Sequence, residues 1–335
     1  MKFGVHLPNC SEALVYPVGF AGHDSMVKIA QEAESLGYDS VWANDHMTTQ
    51  KYVKELSDEP PNYYEPLVTH AVLAEATEKI KLGTSVVALP MRNPVILAKQ
   101  VATLDVLSGG RLILGLGSGA YAEEFQALNP HLPTKARSKI MDESVAALNM
   151  LLTQRNASFE GEYVKFKDVE MYPKPLQKPL PTWICGNSIN GIRRTAESGT
   201  GWSPATLLPE EVREGITKLA SHSKTAGREN IKFEIAPQYL VSIGKTEEDA
   251  VRKYKDSLLY KHVQSLQTTT FKRQSVESSV QRNFIGTADQ IIRKIEKLDD
   301  AGVSYLPDLV FPEPRMEDLL DGMRAFARHV MPSFS

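Results

Sequence analysis

This chain alternates repeatedly between short apolar runs and amphipathic segments, a pattern that few folds accommodate. Residues 111–119 form one such run, and an almost wholly apolar strand is typical of a parallel sheet that is covered on both faces. In residues 24–36 the apolar side chains recur at i, i+3, i+4 and i+7, which predicts a helix with one buried face. The alternation repeats roughly eight times and therefore predicts an α/β fold with a parallel sheet.

The eightfold repeat favours a closed (β/α)8 TIM barrel with insertions, and a single barrel domain, 1–335, can use all 335 residues. A doubly wound sheet is the competing architecture, because Gly115, Gly117 and Gly119 superficially look like a dinucleotide-binding loop. However, Ala120 stands where the G-x-G-x-x-G pattern has its third glycine, and no acidic residue ends a second strand about twenty positions later. The barrel is therefore the preferred prediction.

The composition argues against several classes of function. The 38 Lys and Arg residues nearly balance the 41 Asp and Glu residues, so the net charge of -3 predicts no nucleic-acid partner. No apolar run reaches the length of a membrane span, the two cysteines are far apart, and the amino terminus lacks a signal-peptide pattern. No Cys/His cluster or H-E-x-x-H spacing suggests a metal site. We expect a cytoplasmic protein without a metal ion, a disulfide or a membrane partner.

The polar pair Asp45 and His46 follows a short strand pattern at residues 40–43. In α/β folds with parallel strands, ligands bind outside the carboxyl ends of the strands. An imidazole titrates near neutral pH, so His46 is a candidate general acid or base with Asp45 as its catalytic neighbour, and a purely structural pair is the alternative. The long polar connection at residues 48–64 and the polar excursion at residues 261–283 are candidate substrate-binding segments.

Two further strand ends carry small residues. Residues 117–119 (GSG) would let the backbone approach a flat ligand closely, although a tight corner of the barrel would also need them. Residues 186–188 (GNS) precede a predicted helix, where free backbone N–H groups, a hydroxyl and the helix dipole suit a phosphate. An ordinary helix N-cap is the alternative for that turn.

Several modest motifs occur in a specific order from one end of the chain to the other. They are residues 3–8 (FGVHLP), 36–42 (LGYDSVW) with Asp45 and His46, 81–86 (KLGTSV), 93–94 (NP), 107–111 (LSGGR), 115–119 (GLGSG), 178–184 (KPLPTWI) and 286–287 (GT). In this order and spacing the chain resembles the luciferase-like monooxygenase superfamily, and within it the branch that uses the deazaflavin coenzyme F420.

The resemblance implies a (β/α)8 barrel that holds a flavin-type ring in its mouth and transfers a hydride between coenzyme F420 and a small organic substrate. It implies that Asp45 and His46 lie near the reactive edge of the ring, and that Ser85-Val86 is a non-prolyl cis peptide in a bulge behind the ring. It also places the cofactor phosphate at residues 186–188. Together with the strand ends, it gives the expected cofactor-binding residues as Asp45, Ser85, Val86, Gly117, Ser118, Gly119, Gly186, Asn187 and Ser188.

Two other functions remain open. One is an FMN-dependent monooxygenase that takes reduced FMN from a partner reductase and uses O2, and the other is a flavin-binding barrel without catalysis. Cys185 precedes Gly186 where the family often has two glycines, which limits the transfer of the phosphate site. Ala120 stands where F420-dependent sugar-phosphate dehydrogenases have an acidic catalytic residue, which disfavours that substrate class. We expect a homo-oligomer, most simply a dimer, and a flavin or F420 reductase as a possible second partner.

Overall fold

The structure is a computed structural model, and it describes residues 1–266 and 278–334. Strands alternate with helices along most of this length, as the sequence predicts. The strands are β1 (Lys2–His6), β2 (Ser40–Ala43), β3 (Lys81–Thr84), β4 (Val87–Ala88), β5 (Leu112–Gly117), β6 (Asn156–Glu160), β7 (Lys165–Glu170), β8 (Thr182–Cys185), β9 (Gly201–Ser203), β10 (Glu234–Ile235), β11 (Tyr239–Ile243), β12 (Phe284–Gly286) and β13 (Tyr305–Val310). The helices are α1 (His23–Ser35), α2 (Lys51–Leu56), α3 (Pro66–Ala76), α4 (Pro94–Leu107), α5 (Ala122–Leu128), α6 (Ala136–Thr153), α7 (Ile189–Ser198), α8 (Pro209–Thr225), α9 (Glu247–Asp256), α10 (Leu258–Leu266), α11 (Ser279–Arg282), α12 (Ala288–Asp299) and α13 (Met316–His329).

All of these strands except β6 and β7 belong to one curled sheet, and its described pairings are parallel. Hydrogen-bonded neighbours follow the order β10-β9-β8-β5-β3-β2-β1-β13-β11-β12, and β4 also pairs with β5. Parallel neighbours need long connections, which the helices supply. The prediction of an α/β fold with a parallel sheet is therefore confirmed.

The regular strand pairing of the sheet is interrupted between β10 and β11, although the Ala236 and Gln238 N–H groups donate to the Trp202 and Pro204 carbonyls. β10 pairs with β9 on one side, whereas β11 pairs with β13 on the other. Ala236, Pro237 and Gln238 lie between these two strands, and Pro237 has no N–H group to donate to a ladder. The predicted closed barrel is thus confirmed only at the coarser level of a curled parallel sheet flanked by helices.

Most predicted elements are present with small shifts of their ends. The helix predicted at residues 24–36 is α1, and its predicted apolar face is buried. The small hairpin predicted around residues 159–166 is the antiparallel pair of β6 and β7. The excursion at residues 261–283 includes the end of α10 and all of α11, and its middle part lies outside the described residues. Within the described ranges, no helix has both the length and the apolar character needed to cross a bilayer.

Aromatic side chains fill the middle of the curled sheet. Trp42 from β2 stacks on Trp183 from β8 with ring centroids 5.0 Å apart, and Tyr305 from β13 meets both rings edge-on. The backbone at Gly83 on β3 passes so close to the Trp42 ring that a Cβ atom there would lie 2.4 Å from it. Because these side chains occupy the middle of the sheet, a ligand finds room only towards the ends of the strands.

A buried carboxylate holds the proline-rich segment, residues 173–181, against the body of the fold. Asp105 on α4 has 0% of its surface exposed. It accepts the backbone N–H groups of Leu176 and Gln177 at 2.7 and 3.1 Å, and the Gln177 side-chain amide at 2.7 Å. The segment is not helical, as its prolines predict, so its backbone N–H groups lack the carbonyl acceptors that a helix would provide. The Asp105 carboxylate takes the place of those acceptors.

We expect Asp105→Asn to lower the free energy of unfolding by about 1–3 kcal/mol, because an amide cannot accept all three hydrogen bonds and leaves buried donors unpaired. Urea unfolding followed by circular dichroism measures the change. Asp58→Asn is the matched control, since Asp58 is exposed and its replacement should change stability by less than about 0.5 kcal/mol. Equal stability of the two variants would show that the hydrogen bonds accepted by Asp105 do not stabilise the fold.

Candidate active site

A cavity of about 290 Å³ opens at the carboxyl ends of the sheet strands. It brings together residues that are far apart in the sequence, as the strand-end positions predict. The predicted site residues that line it are Asp45, His46, Ser85, Val86, Gly117, Ser118, Gly119 and Gly186. Asn187 and Ser188 follow at the start of α7 and are not part of the lining. A second cavity, of about 650 Å³, lies at the amino ends of the strands around Lys2 and Trp183 and contains none of them.

His46 lies in the cavity wall and is held by the buried carboxylate of Glu124. His46 Nδ1 is 2.8 Å from Glu124 Oε1, and Glu124 is only 1% exposed. The Gln50 amide lies 2.9 Å from Nδ1 and donates to Oε1 at 2.6 Å, while the Met47 N–H donates to Oε2 at 3.2 Å. Since a carboxylate only accepts, the arrangement supplies a partner for a proton on Nδ1 and orients the imidazole ring.

The second ring nitrogen of His46, Nε2, has no hydrogen-bond partner among the residues that the structure describes. The ring packs between Tyr63 and Tyr121, with centroid distances of 5.5 and 6.0 Å. A histidine that is fixed at one nitrogen by a carboxylate and open at the other can take up or release a proton at the cavity. The geometry therefore suits acid–base chemistry at Nε2.

Sequence reasoning misses Glu124, because it considers an acidic residue only at position 120, directly after the glycine-rich strand. Glu124 lies in the first turn of α5, four residues beyond Ala120. Its neighbour Glu123 accepts the Lys51 N–H at 2.7 Å, so both glutamates anchor the chain that follows His46. Two adjacent acidic residues at the start of a helix, just after a strand end, were the signal that could have found it.

Asp45 has its acceptor atoms engaged by Arg92 and by the backbone. Arg92 Nε and Nη2 donate to its two oxygens at 2.8 and 2.7 Å, and the Ala88 N–H donates to Oδ2 at 3.0 Å. Arg92 also pairs with Glu65 at 2.9 Å. Burial alone would lower the pKa of Arg92, but the two carboxylates raise it above its usual value. Asp45 therefore fixes the turn that leads to His46, and its direct role in catalysis stays a prediction.

The strand pairing is interrupted between β3 and β4 by Ser85 and Val86, and the peptide bond between them is cis, as predicted. Gly117 on β5 faces this interruption, and a Cβ atom there would lie 2.6 Å from Val86 Cγ2. Gly119 has a φ of +78°, a region that favours glycine. Close packing within the sheet thus already requires glycine at position 117, and contact of residues 117–119 with a ligand stays a prediction.

At the start of α7, the side chains of Asn187 and Ser188 are occupied by local hydrogen bonds. The Asn187 amide exchanges two bonds with the Ala205 backbone, at 2.8 and 2.7 Å, and Ser188 caps the helix by accepting the Gly191 N–H at 3.1 Å. Gly186 has a φ of +118° and no atom within 4 Å of where a Cβ would stand. The backbone N–H groups of the first helical turn are what this segment can offer an anion, so the phosphate site stays a prediction.

A second histidine, His262 on α10, also lines the cavity. Its Nδ1 atom lies 2.6 Å from the Tyr52 hydroxyl. Burial, with smaller contributions from the charges of His46 and His6, lowers the pKa of His262 to about 3. His262 is therefore neutral at physiological pH, and it differs in this from a histidine that exchanges protons near neutrality. The sequence indicates His262 only as a member of the polar excursion at residues 261–283.

The overall arrangement, a cavity at the strand ends beside an interrupted third strand, agrees with a comparison against known families. A family model described as luciferase-like monooxygenase matches residues 1–305. This chain belongs to the luciferase-like monooxygenase family. The family that the sequence motifs indicate is therefore confirmed. The matched range contains every site residue that the sequence predicts.

Luciferase-like proteins of two cofactor classes are similar to this chain. F420-dependent glucose-6-phosphate dehydrogenase of Amycolatopsis mediterranei is 27% identical over 281 residues, which is 83% of this chain and 78% of that protein. FMNH2-dependent dimethylsulfone monooxygenase of Pseudomonas putida is 33% identical over 208 residues, which is 60% of this chain and 55% of that protein. An F420-dependent secondary alcohol dehydrogenase, solved in complex with an F420-acetone adduct, superimposes with a TM-score of 0.79 at 20% identity, covering 100% of this chain and 99% of that one. Similarity alone does not choose between the cofactors.

The cavity of this luciferase-like protein fits a flat ring with a polar edge. Asn44 is a lining residue, and its Oδ1 atom is buried without a hydrogen-bond partner among the described residues. Buried polar atoms of this kind are normally paired, and an N–H group of a ligand would satisfy this one if the Asn44 side chain turned towards the cavity. The wall at residues 117–119 presents only glycine and serine, which leaves space for a ring face. Flavins and deazaflavins carry N–H and C=O groups along one edge of a flat ring, so the residues present fit them.

We expect His46→Asn to retain cofactor binding while slowing turnover about a hundredfold or more, because a positioned acid or base typically contributes that much. Steady-state rates and the dissociation constant of the cofactor measure the two effects. His329→Asn is the matched control, since His329 is exposed at the end of α13 and should leave both quantities unchanged. Turnover of His46→Asn equal to that of the control would remove His46 from the mechanism.

Proposed function

We propose that this protein is an F420-dependent oxidoreductase that moves a hydride between the deazaflavin and a small organic substrate. The observation that carries the proposal is the pair of His46 and Glu124 in the cavity wall, with His46 Nδ1 2.8 Å from the carboxylate. The interconversion of an alcohol and a carbonyl compound moves one proton with each hydride, and His46 is positioned to exchange that proton. The names of two F420-dependent dehydrogenases among the similar proteins support the same chemistry.

When it is bound, the cofactor supplies the hydride acceptor or donor at its ring. In this proposal Ser85 and Val86 support one face of the ring, and the 117–119 wall and Gly186 border it. The Asn44 side chain, whose Oδ1 atom is buried without a partner among the described residues, turns towards the cavity to accept a hydrogen bond from the polar edge of the ring. The backbone N–H groups at the start of α7 bind its phosphate. The role of Asp45 is to hold the turn before His46 in place through its ion pair with Arg92.

An FMN-dependent monooxygenase is the second candidate, favoured by the 33% identity to a protein named as FMNH2-dependent. In that case the same cavity would hold reduced FMN delivered by a partner reductase, and O2 would be consumed. In a third candidate, a flavin-binding barrel without catalysis, the buried Glu124 would only anchor the loop that carries His46. A carboxylate that is 1% exposed is costly to bury. Its pairing with a histidine that can exchange a proton with a ligand is most simply explained by catalysis.

The break in strand pairing between β10 and β11 lies, in this proposal, within a single barrel strand. We interpret the extended segment Glu234–Ile243 as one barrel strand, since its first part pairs with β9 and its second part pairs with β13. On this interpretation the sheet closes into the (β/α)8 barrel that the sequence predicts, with β12 as an addition at its rim. A closed barrel gathers all strand ends around one mouth, which is where the cofactor is proposed to bind.

We expect the purified protein to bind F420 at least about tenfold more tightly than FMN, a difference of roughly 1.4 kcal/mol, because the proposal assigns the cavity to the deazaflavin. Fluorescence quenching measures both dissociation constants. Ser118→Trp, which places a large ring in the cavity from a solvent-accessible position, should abolish binding without lowering the melting temperature. Tighter binding of FMNH2 with consumption of O2 would establish the monooxygenase instead, and binding of neither cofactor would overturn both candidates.

We propose in addition that two copies of the chain associate through α3 and α4. These adjacent helices expose large apolar side chains, Val68 and Val72 on α3 and Ile96 on α4, at 62%, 42% and 61%. Both helices have apolar residues on more than the face that packs on the sheet. A helix that is apolar around most of its circumference is normally covered on more than one side.

We expect the wild-type protein to sediment as a dimer and the double variant Val68→Glu/Ile96→Glu to sediment as a monomer, because two buried charges without partners would oppose association. Sedimentation velocity at micromolar concentration measures the change. Ile231→Glu, at an apolar residue that is 42% exposed before β10, is the matched control and should remain dimeric. A monomeric wild-type protein, or a dimeric double variant, would show that α3 and α4 do not form the interface.

A further inference from the structure

Four side chains form a hydrogen-bonded chain in the part of the cavity wall made by β1, β13 and the interruption after β3. His6 Nε2 lies 2.7 Å from Ser11 Oγ, and His6 Nδ1 lies 2.9 Å from Asp308 Oδ1. Ser85 Oγ donates to Asp308 Oδ2 at 2.7 Å. His6, Asp308 and Ser85 all line the cavity. This chain of contacts is separate from the pair of His46 and Glu124 and plays no part in the proton exchange assigned to that pair.

The two titratable members of the chain are shielded from solvent. The side chains of His6 and Asp308 are 2% and 6% exposed, and the Tyr16 ring stacks over His6 with a centroid distance of 6.3 Å. Charges in such surroundings act through a low effective dielectric, so their field reaches across the cavity. The thiol of Cys185, another lining residue, is affected in this way. Burial raises its pKa to about 12, and the Asp308 carboxylate adds to the increase.

The pair of His6 and Asp308 is one of several links between β1 and β13. The two strands also pair in parallel through their backbones, with an irregularity between Phe3 and Val5. Burying two polar groups against each other adds little to stability, since their lost hydration offsets their attraction. The position of the pair in the cavity wall is therefore what calls for an explanation, and a field directed at the ligand provides one.

We propose that the pair of His6 and Asp308 sets the relative affinity of the cavity for oxidised and reduced cofactor, and thereby tunes the reduction potential of the bound ring. The inference rests on the proposed function, since it requires a flavin or deazaflavin ring in the cavity. Asp308 is the negative member, and Ser85 connects it to the wall on which the ring is proposed to rest. Reduction adds electron density to the ring, so a neighbouring negative charge weakens binding of the reduced form and a positive charge strengthens it.

Three substitutions test the pair, and their expected effects differ in sign. Asp308→Asn removes the negative charge with little change of shape, so the affinity for reduced relative to oxidised cofactor should rise about tenfold, or about 30 mV for a two-electron couple. His6→Gln leaves Asp308 without its imidazole partner, and Ser85→Ala removes a donor from the same carboxylate. Both should shift the ratio in the opposite direction. Anaerobic titrations with FMN and F420, each oxidised and reduced, give the ratio.

Asp39→Asn is the matched control, because its carboxylate accepts the Phe3 N–H at 2.8 Å near the amino ends of the strands, away from this cavity. It should change the ratio by less than about twofold. Unchanged ratios, or shifts of the same sign in Asp308→Asn and His6→Gln, would overturn the inference. If the two buried variants, Asp308→Asn and His6→Gln, do not fold, Ser85→Ala tests the inference alone, since Ser85 is only half-buried. A ratio in Ser85→Ala that is unchanged, or that moves towards the reduced form, would then overturn the inference. A wild-type protein that binds neither cofactor would overturn the proposed function instead.

Discussion

The geometry of the candidate site depends on the buried carboxylate of Glu124. It accepts hydrogen bonds from the His46 ring, the Gln50 amide and the Met47 backbone, and so ties the loop after β2 to the helix after β5. A carboxylate that has left water needs such donors, because an unpaired buried charge costs several kcal/mol. The segment that carries His46 has no regular secondary structure, so its conformation is set by this long-range contact and not by local propensity.

The interior of the sheet explains why chemistry is confined to the strand ends. Trp42 and Trp183 stack in the middle of the sheet, and Gly83 and Gly201 on adjoining strands leave space for the two indole rings. A Cβ atom at Gly201 would lie 2.6 Å from the Trp183 ring. Large rings matched to glycines make a close-packed interior, in which no ligand has room. The loops above it, which are free to vary without disturbing that packing, then carry the polar side chains.

The parts of this structure that could be predicted from the sequence are those with a local signature. The alternation of strands and helices follows from periodicity, and the place of His46 follows from its position after a strand, while the cis peptide at Ser85-Val86 came from the family resemblance. The contacts of His46 with Glu124 and of His6 with Asp308 join residues 78 and 302 positions apart. The two acidic residues at the start of α5 point to Glu124 as a candidate. The immediate sequence does not show which distant loop such a residue will contact, so these pairs appear only once the strands are assembled.

Two histidines in one cavity, each paired with a buried carboxylate, can serve different purposes because they differ in access. The side chain of His46 is 14% exposed and Glu124 2%, whereas His6 and Asp308 are 2% and 6% exposed. Both ring nitrogens of His6 have partners, Asp308 and Ser11, while His46 is engaged at Nδ1. His46 therefore has a ring nitrogen that can meet a ligand, whereas both ring nitrogens of His6 are engaged within its own network. The first pair is suited to moving charge during a reaction, and the second is suited to holding charge in place.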